Sequence, residues 1–469
     1  MKPKELVRGL DLGATTALVV GTIIGTGVFL KAAKMSQAVG TPALVLLAWA
    51  VAGLLSLAGA LSYAELGAML PAAGGEYVYL RTAYGRLPAF LFGWMRLAVG
   101  STGSIASAGA GFATFLAALV PLDHVWAQRT FHFLGQQVDW QLGGRQIAAV
   151  AVILFFAAIN CLRVAFGGSV QLFLTIAKVL GIAAIVVGAF FFAPTATWAH
   201  LHSPSGAPAW SGFSAFGAAM LAALWAYDGW NNMPMAAGEV RNPGRNIPLA
   251  LIAGTLAVLA IYAVVNVAYF YALPISEIAS SSSTLHGTAL PVAGKAAETF
   301  LPGFGARVVA VAAILSIIGS LNGSILTGAR VTFAMARDGF LSSRFARLNA
   351  RAAVPAAAIL LEALWACALA LSATFDQLTD CVIFAEFIFY ALTTTAVLVL
   401  RKKRPDLPRP YKTLGYPFTP VVFVLVAGWL VVNTLRTAPL ESLAGLVLIA
   451  LGLPIYFLRP KNQASDANA

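Results

Sequence analysis

Three glycines within seven residues, Gly21, Gly25 and Gly27, interrupt the apolar run from Val20 to Phe29. Each costs a helix about 1 kcal/mol relative to alanine, so the run is expected to unwind there. A second interruption, Trp225-Ala226-Tyr227-Asp228-Gly229-Trp230-Asn231-Asn232, combines a carboxylate with a glycine and two side-chain amides. Where a helix restarts, its first amides lack acceptors and carry partial positive charge. Where one stops, its last carbonyls carry partial negative charge. A restart near Gly25 would aim the amides of Thr26, Gly27 and Val28 at an anion, and a carboxylate fits such a site. Stops near Ile23 and Ala226 would offer carbonyl oxygens to an ammonium group. Donors and acceptors this close together suit a zwitterion such as an α-amino acid. Either glycine set alone would also serve close helix packing; two sets in matching places argue for paired breaks.

The elements that position these residues are membrane helices. Of 469 residues, 59% are hydrophobic and 10% charged, and mean hydropathy is +0.83; soluble proteins average about 45–50% apolar and about 25% charged. So little charge cannot cover a soluble fold of this size. A soluble enzyme and a nucleic-acid binder are excluded, despite a net charge of +12. With a window of about 20 apolar residues, twelve spans emerge, at 13–36, 42–66, 87–119, 146–162, 169–193, 212–236, 247–272, 304–330, 355–374, 379–400, 417–436 and 442–458. The runs are continuous, where barrel strands alternate. The expected architecture is an all-α polytopic membrane protein.

With the N-terminus inside, 21 of the 30 Lys and Arg fall in inner stretches and 7 in outer ones, among them Lys31 and Lys34. This positive-inside bias puts both termini in the cytoplasm. The polar start of the chain carries no small-residue cleavage site and reads as leading into an uncleaved anchor. The breaks fall in spans 1 and 6, five spans apart, and an odd-numbered repeat re-enters the membrane in opposite orientation. That predicts a 5+5 inverted repeat with discontinuous helices 1 and 6. The chain then divides into an N-terminal tail (1–12), repeats at 13–200 and 201–402, helices 11 and 12 at 403–458, and a C-terminal tail at 459–469.

Charges inside spans are expensive and usually have a partner or a task. Lys178 lies about ten residues into span 5, too deep to snorkel. It reads either as a structural clip to helix 1 or as a cation coupling substrate to gating. Asp228 either faces a substrate ammonium or caps backbone amides of the second half-helix. Glu386, in span 10, either selects polar or cationic side chains, is protonated, or satisfies a neighbouring helix. Glu65 and Glu239, at inner span ends, read as salt-bridge formers, and Arg96 as reaching the inner surface. Three scattered cysteines and five histidines in polar connections offer no disulfide framework or buried metal site. No metal and no cofactor is expected.

The segments GTIIGTGVF, SYAELGAMLPAAGGEYVYLRTAYG, AYDGWNNMPMAAGEVRNPGRNIPLAL and GSLNGSILTGARVTFAMARDGFL resemble the amino acid–polyamine–organocation superfamily. Within it, the likeness is nearest to the L-amino-acid transporter family and its bacterial relatives, over about residues 10–415, including RPDLPRPYK. The resemblance implies that Gly25, Thr26 and Gly27 hold the substrate carboxylate, with Thr in place of the commoner Ser. It implies that Ile23, Trp225, Ala226 and Asp228 surround the amine, with Trp225 as an aromatic gate where many members have Phe. Asp228 stands where animal members have Gly. Glu386 falls where the family lines the side-chain end of the pocket. Lys178 resembles the lysine that replaces an ion in sodium-independent members, bridging helix 1 near Gly21 to helix 8, with Ser320 and Ser324 as candidate partners. Animal members join a glycoprotein subunit through a cysteine after span 3; the 120–145 connection has none, so no disulfide-linked ancillary subunit is expected. The implied activity is alternating-access transport of neutral L-amino acids across the cytoplasmic membrane, by sodium-independent exchange or proton-linked uptake. Transport of cationic amino acids or polyamines, and amino-acid sensing without transport, stay open. The expected partners are the amino acid and the lipid bilayer.

Overall fold

A computed structural model describes residues 8–72, 74–133, 136–162, 168–202, 210–349 and 354–458. Lys2, Lys4, Arg163, Arg351, Arg459 and Lys461, counted above among inner cations, lie outside these residues, as does the tail at 459–469.

The first membrane passage is two helices. α1 (Leu12–Ile23) starts where the Asp11 carboxylate accepts the Ala14 amide at 2.8 Å, and stops where Ile24 turns extended at ψ 95°. α2 (Gly27–Val39) resumes the course and ends at Gly40 in the left-handed region. α3 (Pro42–Met69) opens on a Thr41 cap with proline in its first turn, a position where the missing N–H costs nothing. A short α4 (Glu76–Tyr84) leads into α5 (Arg86–Met95), which passes through a π-helical stretch, Arg96–Gly100, into α6 (Ser101–Leu116). Such wide turns re-aim side chains inside helices and are frequent at functional sites. Here the stretch begins at Arg96.

α7 (Gly144–Leu162) and α8 (Gly168–Phe191) precede the second broken passage, α9 (Gly212–Tyr227) and the one-turn α10 (Asn232–Met235). α11 (Pro243–Ala272), two short helices α12 (Ile275–Ala279) and α13 (Val292–Glu298), and α14 (Gly305–Arg337) follow. Then come α15 (Ala356–Ser372), α16 (Phe375–Lys403), α17 (Phe418–Thr437), α18 (Pro439–Ala450) and α19 (Gly452–Phe457). Among the described residues, nine helical stretches are long and apolar enough to cross a membrane, and α9 and α15 are shorter apolar helices. This is a polytopic helical membrane protein. α2 packs on α9, α3 on α11, and α6 on α14 and α7, so the two broken passages meet at the centre.

Two differences from the expected layout bear on the site. The 120–145 connection is not irregular: β1 (Val125–Phe133) and β2 (Gln136–Gly143) form an antiparallel hairpin, so the fold is not purely α. Its Trp, Thr, Phe and Val residues favour strands but are too polar in sum to read as a span. Trp140 fastens it to α15 by donating to the Leu371 carbonyl at 2.7 Å. The second difference is the early start of α16. A reciprocal Thr374–Gln377 capping box begins it at Phe375 rather than at residue 379, which brings Asp376 into the helix four residues before Asp380.

Candidate functional site

The two breaks rest on each other. A Cβ on Gly27 would lie 2.5 Å from the Ala226 Cα, so only glycine lets α2 start against the end of α9. Gly229 sits at φ +118°, and a Cβ there would lie 2.6 Å from the Thr22 carbonyl oxygen. The Thr22 hydroxyl donates to the Gly229 carbonyl at 2.9 Å, tying the passages together.

A cavity of about 40 Å³ lies at this junction, room for about three water centres. Ile23, Gly25, Thr26 and Gly27 line it from the first passage and Trp225, Asp228, Gly229 and Asn232 from the second. α14 adds Ser320 and Ser324, and the third passage adds Arg96, Ser104 and Ala108. Gly25, Thr26 and Gly27 line it where α2 starts, and the first amides of a helix lack intrahelical acceptors, although the Phe29 amide donates to the Thr26 carbonyl at 3.2 Å. Beside the cavity the Ile23 and Ala226 carbonyls converge on one atom outside its lining: the Tyr262 hydroxyl lies 3.2 Å from the first and 3.0 Å from the second. Tyr262, far along the sequence on α11, carries no motif that would single it out.

Several residues sit differently from the sequence-based expectation. Ala226 does not line the cavity, because its Cα is pressed against Gly27. Lys178 does reach the first break, donating to the Gly21 carbonyl at 2.6 Å and the Ile24 carbonyl at 2.9 Å. Its link to α14 is not Ser320 or Ser324. Ser316 donates to the same Ile24 carbonyl at 3.3 Å, one helical turn further out, while the Ser320 hydroxyl turns back to its own helix at Ile317. Replacing Lys178 with Ala should slow transport more than it weakens equilibrium substrate binding, measured on the same preparation. Equal losses would reduce the lysine to a clip.

The charges at the far end of the cavity are rearranged more thoroughly. Arg96 does not reach the inner surface. It is buried, lines the cavity, pairs with Glu386 and donates to the Asn232 side-chain oxygen at 3.2 Å. Glu386 therefore stands behind Arg96, outside the cavity wall. Among the described residues no amide donates to Asp228; its carboxylate takes the Tyr390 hydroxyl at 2.7 Å. The sequence did hold a signal for Arg96. Asp228 and Glu386, both inside spans, demand a cation, and only Lys178 and Arg96 lie well away from a span end.

Side-chain contacts cover the cavity at both ends. At one end the Trp225 indole donates to the Thr26 hydroxyl at 3.3 Å, and its ring meets Phe375 edge-on with centroids 6.2 Å apart. Above that plug, Lys31 pairs with Asp376 at 2.6 Å, and Lys34 with Asp380 at 2.5 Å. Asp376 also accepts the Thr284 amide at 3.0 Å. At the opposite end Glu65 takes Arg401 at 2.7 Å and the Thr413 amide at 2.7 Å, and Glu239 takes Arg330 at 2.7 Å. The entry to α1 is held by backbone bonds, Leu10 N–H to Glu239 and Arg241 N–H to Leu10. Glu65 and Glu239 are thus salt-bridge formers as read. Lys31 and Lys34, counted as outer loop charges, are gate parts.

Comparison with known sequences fits this geometry. The sequence profile of the amino acid permease family matches residues 10–451. The chain belongs to that family. This permease is 31% identical over 462 residues to the serine/threonine exchanger of Bacillus subtilis (strain 168), covering 98% of each chain. It is 33% identical over 470 residues to the human b(0,+)-type amino acid transporter 1, covering 97% of this permease and 89% of that protein. To the mouse large neutral amino acids transporter small subunit 2 it is 29% identical over 463 residues, covering 97% and 81%. The relatives are amino acid transporters and exchangers, so amino acid transport across a membrane is the activity of the family to which this permease belongs. The three cysteines, Cys161, Cys367 and Cys381, are free and lie on α7, α15 and α16.

Proposed function

We propose that this permease is a sodium-independent secondary transporter that exchanges small neutral L-amino acids across the cytoplasmic membrane by alternating access. Its twelve passages would form a 5+5 inverted repeat plus helices 11 and 12, with both termini cytoplasmic. Passages 1, 2, 6 and 7 would rock against 3, 4, 5, 8, 9 and 10. The observation that carries the reading is the cavity itself: the start of α2 at Gly25, Thr26 and Gly27 and the end of α1 at Ile23 share a space of about 40 Å³ with Trp225 and Asp228. In this arrangement Gly25, Thr26 and Gly27 receive the carboxylate, Ile23 receives the ammonium, and Trp225 closes over both. The similarity to a serine/threonine exchanger supports small substrates.

Lys178 supports sodium independence. Its ammonium already uses the Gly21 and Ile24 carbonyls that an ion at the break would need. Arg96 argues for neutral rather than cationic side chains or polyamines, because it faces the same space as Asp228.

Proteoliposomes loaded with labelled L-serine test the reading. External L-serine, L-threonine or L-alanine should drive counterflow, and lysine or putrescine should not. Replacing a sodium gradient with a potassium gradient should leave the rate unchanged. Sodium-dependent uptake, or counterflow driven only by cations, would overturn it.

A further inference from the structure

Tyr390 on α16 stands between two carboxyl groups, its hydroxyl oxygen 2.7 Å from Asp228 Oδ1 and 2.6 Å from Glu386 Oε2. A phenol carries one proton, and an ionised carboxylate only accepts. If both acids were ionised, the hydroxyl could satisfy one and would turn a lone pair toward the other. A repulsive contact of that kind is costly in a buried, low-dielectric setting. One added proton resolves it. The protonated acid then donates to the Tyr390 oxygen, and Tyr390 donates to the remaining carboxylate.

Counting charge leads to the same arrangement. Arg96, from the third passage, pairs with Glu386, and Asp228 comes from the second break. Tyr63, from α3, faces Tyr390 with ring centroids 6.2 Å apart. Glu362, from α15, lies within electrostatic reach of Arg96 and accepts the Thr332 hydroxyl at 2.7 Å. Glu76, from α4 outside the spans, is also within reach of Arg96, and burial pushes its carboxyl up to about 8, so it is mostly neutral at pH 7. One guanidinium therefore serves an acid-rich surrounding. A doubly ionised bridge would leave net negative charge in the protein interior, where unpaired charge is least tolerated.

We propose that Asp228, Tyr390 and Glu386 form a binding site for one exchangeable proton in the wall of the cavity, and that this proton leaves when a substrate ammonium enters beside Asp228. The second half rests on the amino acid reading above; the first does not. The step balances without any redox partner. A carboxyl O–H bond breaks, the proton passes to water, and the new carboxylate charge is offset by the incoming ammonium. Tyr390 lets either acid hold the proton, because its hydroxyl can donate to one side while accepting from the other. The Glu386–Arg96 pair then does more than fill space behind the cavity, since it reports substrate charge to α16.

Infrared difference spectra of the purified full-length protein in lipid nanodiscs near neutral pH test the bridge. Asp228→Asn and Glu386→Gln should each remove the carbonyl band of one protonated carboxyl relative to the unmutated protein, because the remaining acid ionises against Arg96. A band lost in only one variant, or in neither, overturns the shared proton. Should either variant fail to fold, calorimetric titration of the unmutated protein with L-serine in buffers of different ionisation enthalpy decides. The expected result is a buffer-dependent enthalpy that reports proton release on binding; a buffer-independent enthalpy overturns the coupling. Absence of heat with every amino acid counts against the amino acid reading alone, and the infrared result still decides the bridge.

Discussion

Gly27→Val should reduce uptake to the level of empty vesicles while the protein still reaches the membrane. The first atom of any side chain at this position would stand 2.5 Å from the Ala226 Cα, and the obstacle is backbone rather than a flexible tip. Relief requires α2 to withdraw from α9. Overpacking of this kind costs about 1–3 kcal/mol, which alone weakens binding about 5–150-fold. Withdrawal also moves the α2 amides away from the Ile23 carbonyl, so a zwitterion can no longer span both. Gly27→Ala should show the same defect, because the Cβ alone makes the clash. Uptake by either variant at a rate near that of the unmutated protein, with equal surface expression, would sink the assignment of this turn to the substrate carboxylate.

Arg96→Met should destabilise the folded protein by about 3–5 kcal/mol, the cost of leaving one partner of a buried pair alone. Chemical denaturation in detergent would measure it. Adding Glu386→Gln should recover a substantial part of that loss, since the orphaned carboxylate is then gone and the two sites are coupled. An arginine extending to the inner surface would behave otherwise, because exposed pairs are worth about 0–1 kcal/mol. A loss below about 1 kcal/mol would therefore place Arg96 outside the cavity wall.

The broken passages were legible because glycine spacing is a local property, and the restart at Gly27 follows from residues next to it. Nothing local marks Tyr262 or Phe375, which gain their roles only when α11 and α16 pack beside the breaks. Lys31 and Lys34 were misassigned for a related reason. Charge near a span end looks like a loop charge until the opposite helix is known to carry Asp380 and to extend to Asp376, and that extension depends on the Thr374–Gln377 cap rather than on hydropathy. Arg96 was hidden because a cation about nine residues into a span reads as able to extend to the surface, and its partner Glu386 lies far along the sequence. The hairpin at 125–143 was missed because attention to apolar runs passes over a short strand pair in a polar connection.

The gates described above differ in how much water they see. The side chains of Lys31 and Asp376 are 0% and 8% exposed, while those of Arg330 and Glu239 are 24% and 21% exposed. Mobile ions weaken attraction between charges they can surround, over a screening distance of about 8 Å at physiological ionic strength, and act far less on buried pairs. The Arg330–Glu239 pair, and the Lys34–Asp380 pair whose lysine is 27% exposed, therefore soften as the electrolyte around them becomes more concentrated, while the buried Lys31–Asp376 contact responds little. The protein thus keeps one contact whose strength it sets alone, beside others that the surrounding salt tunes.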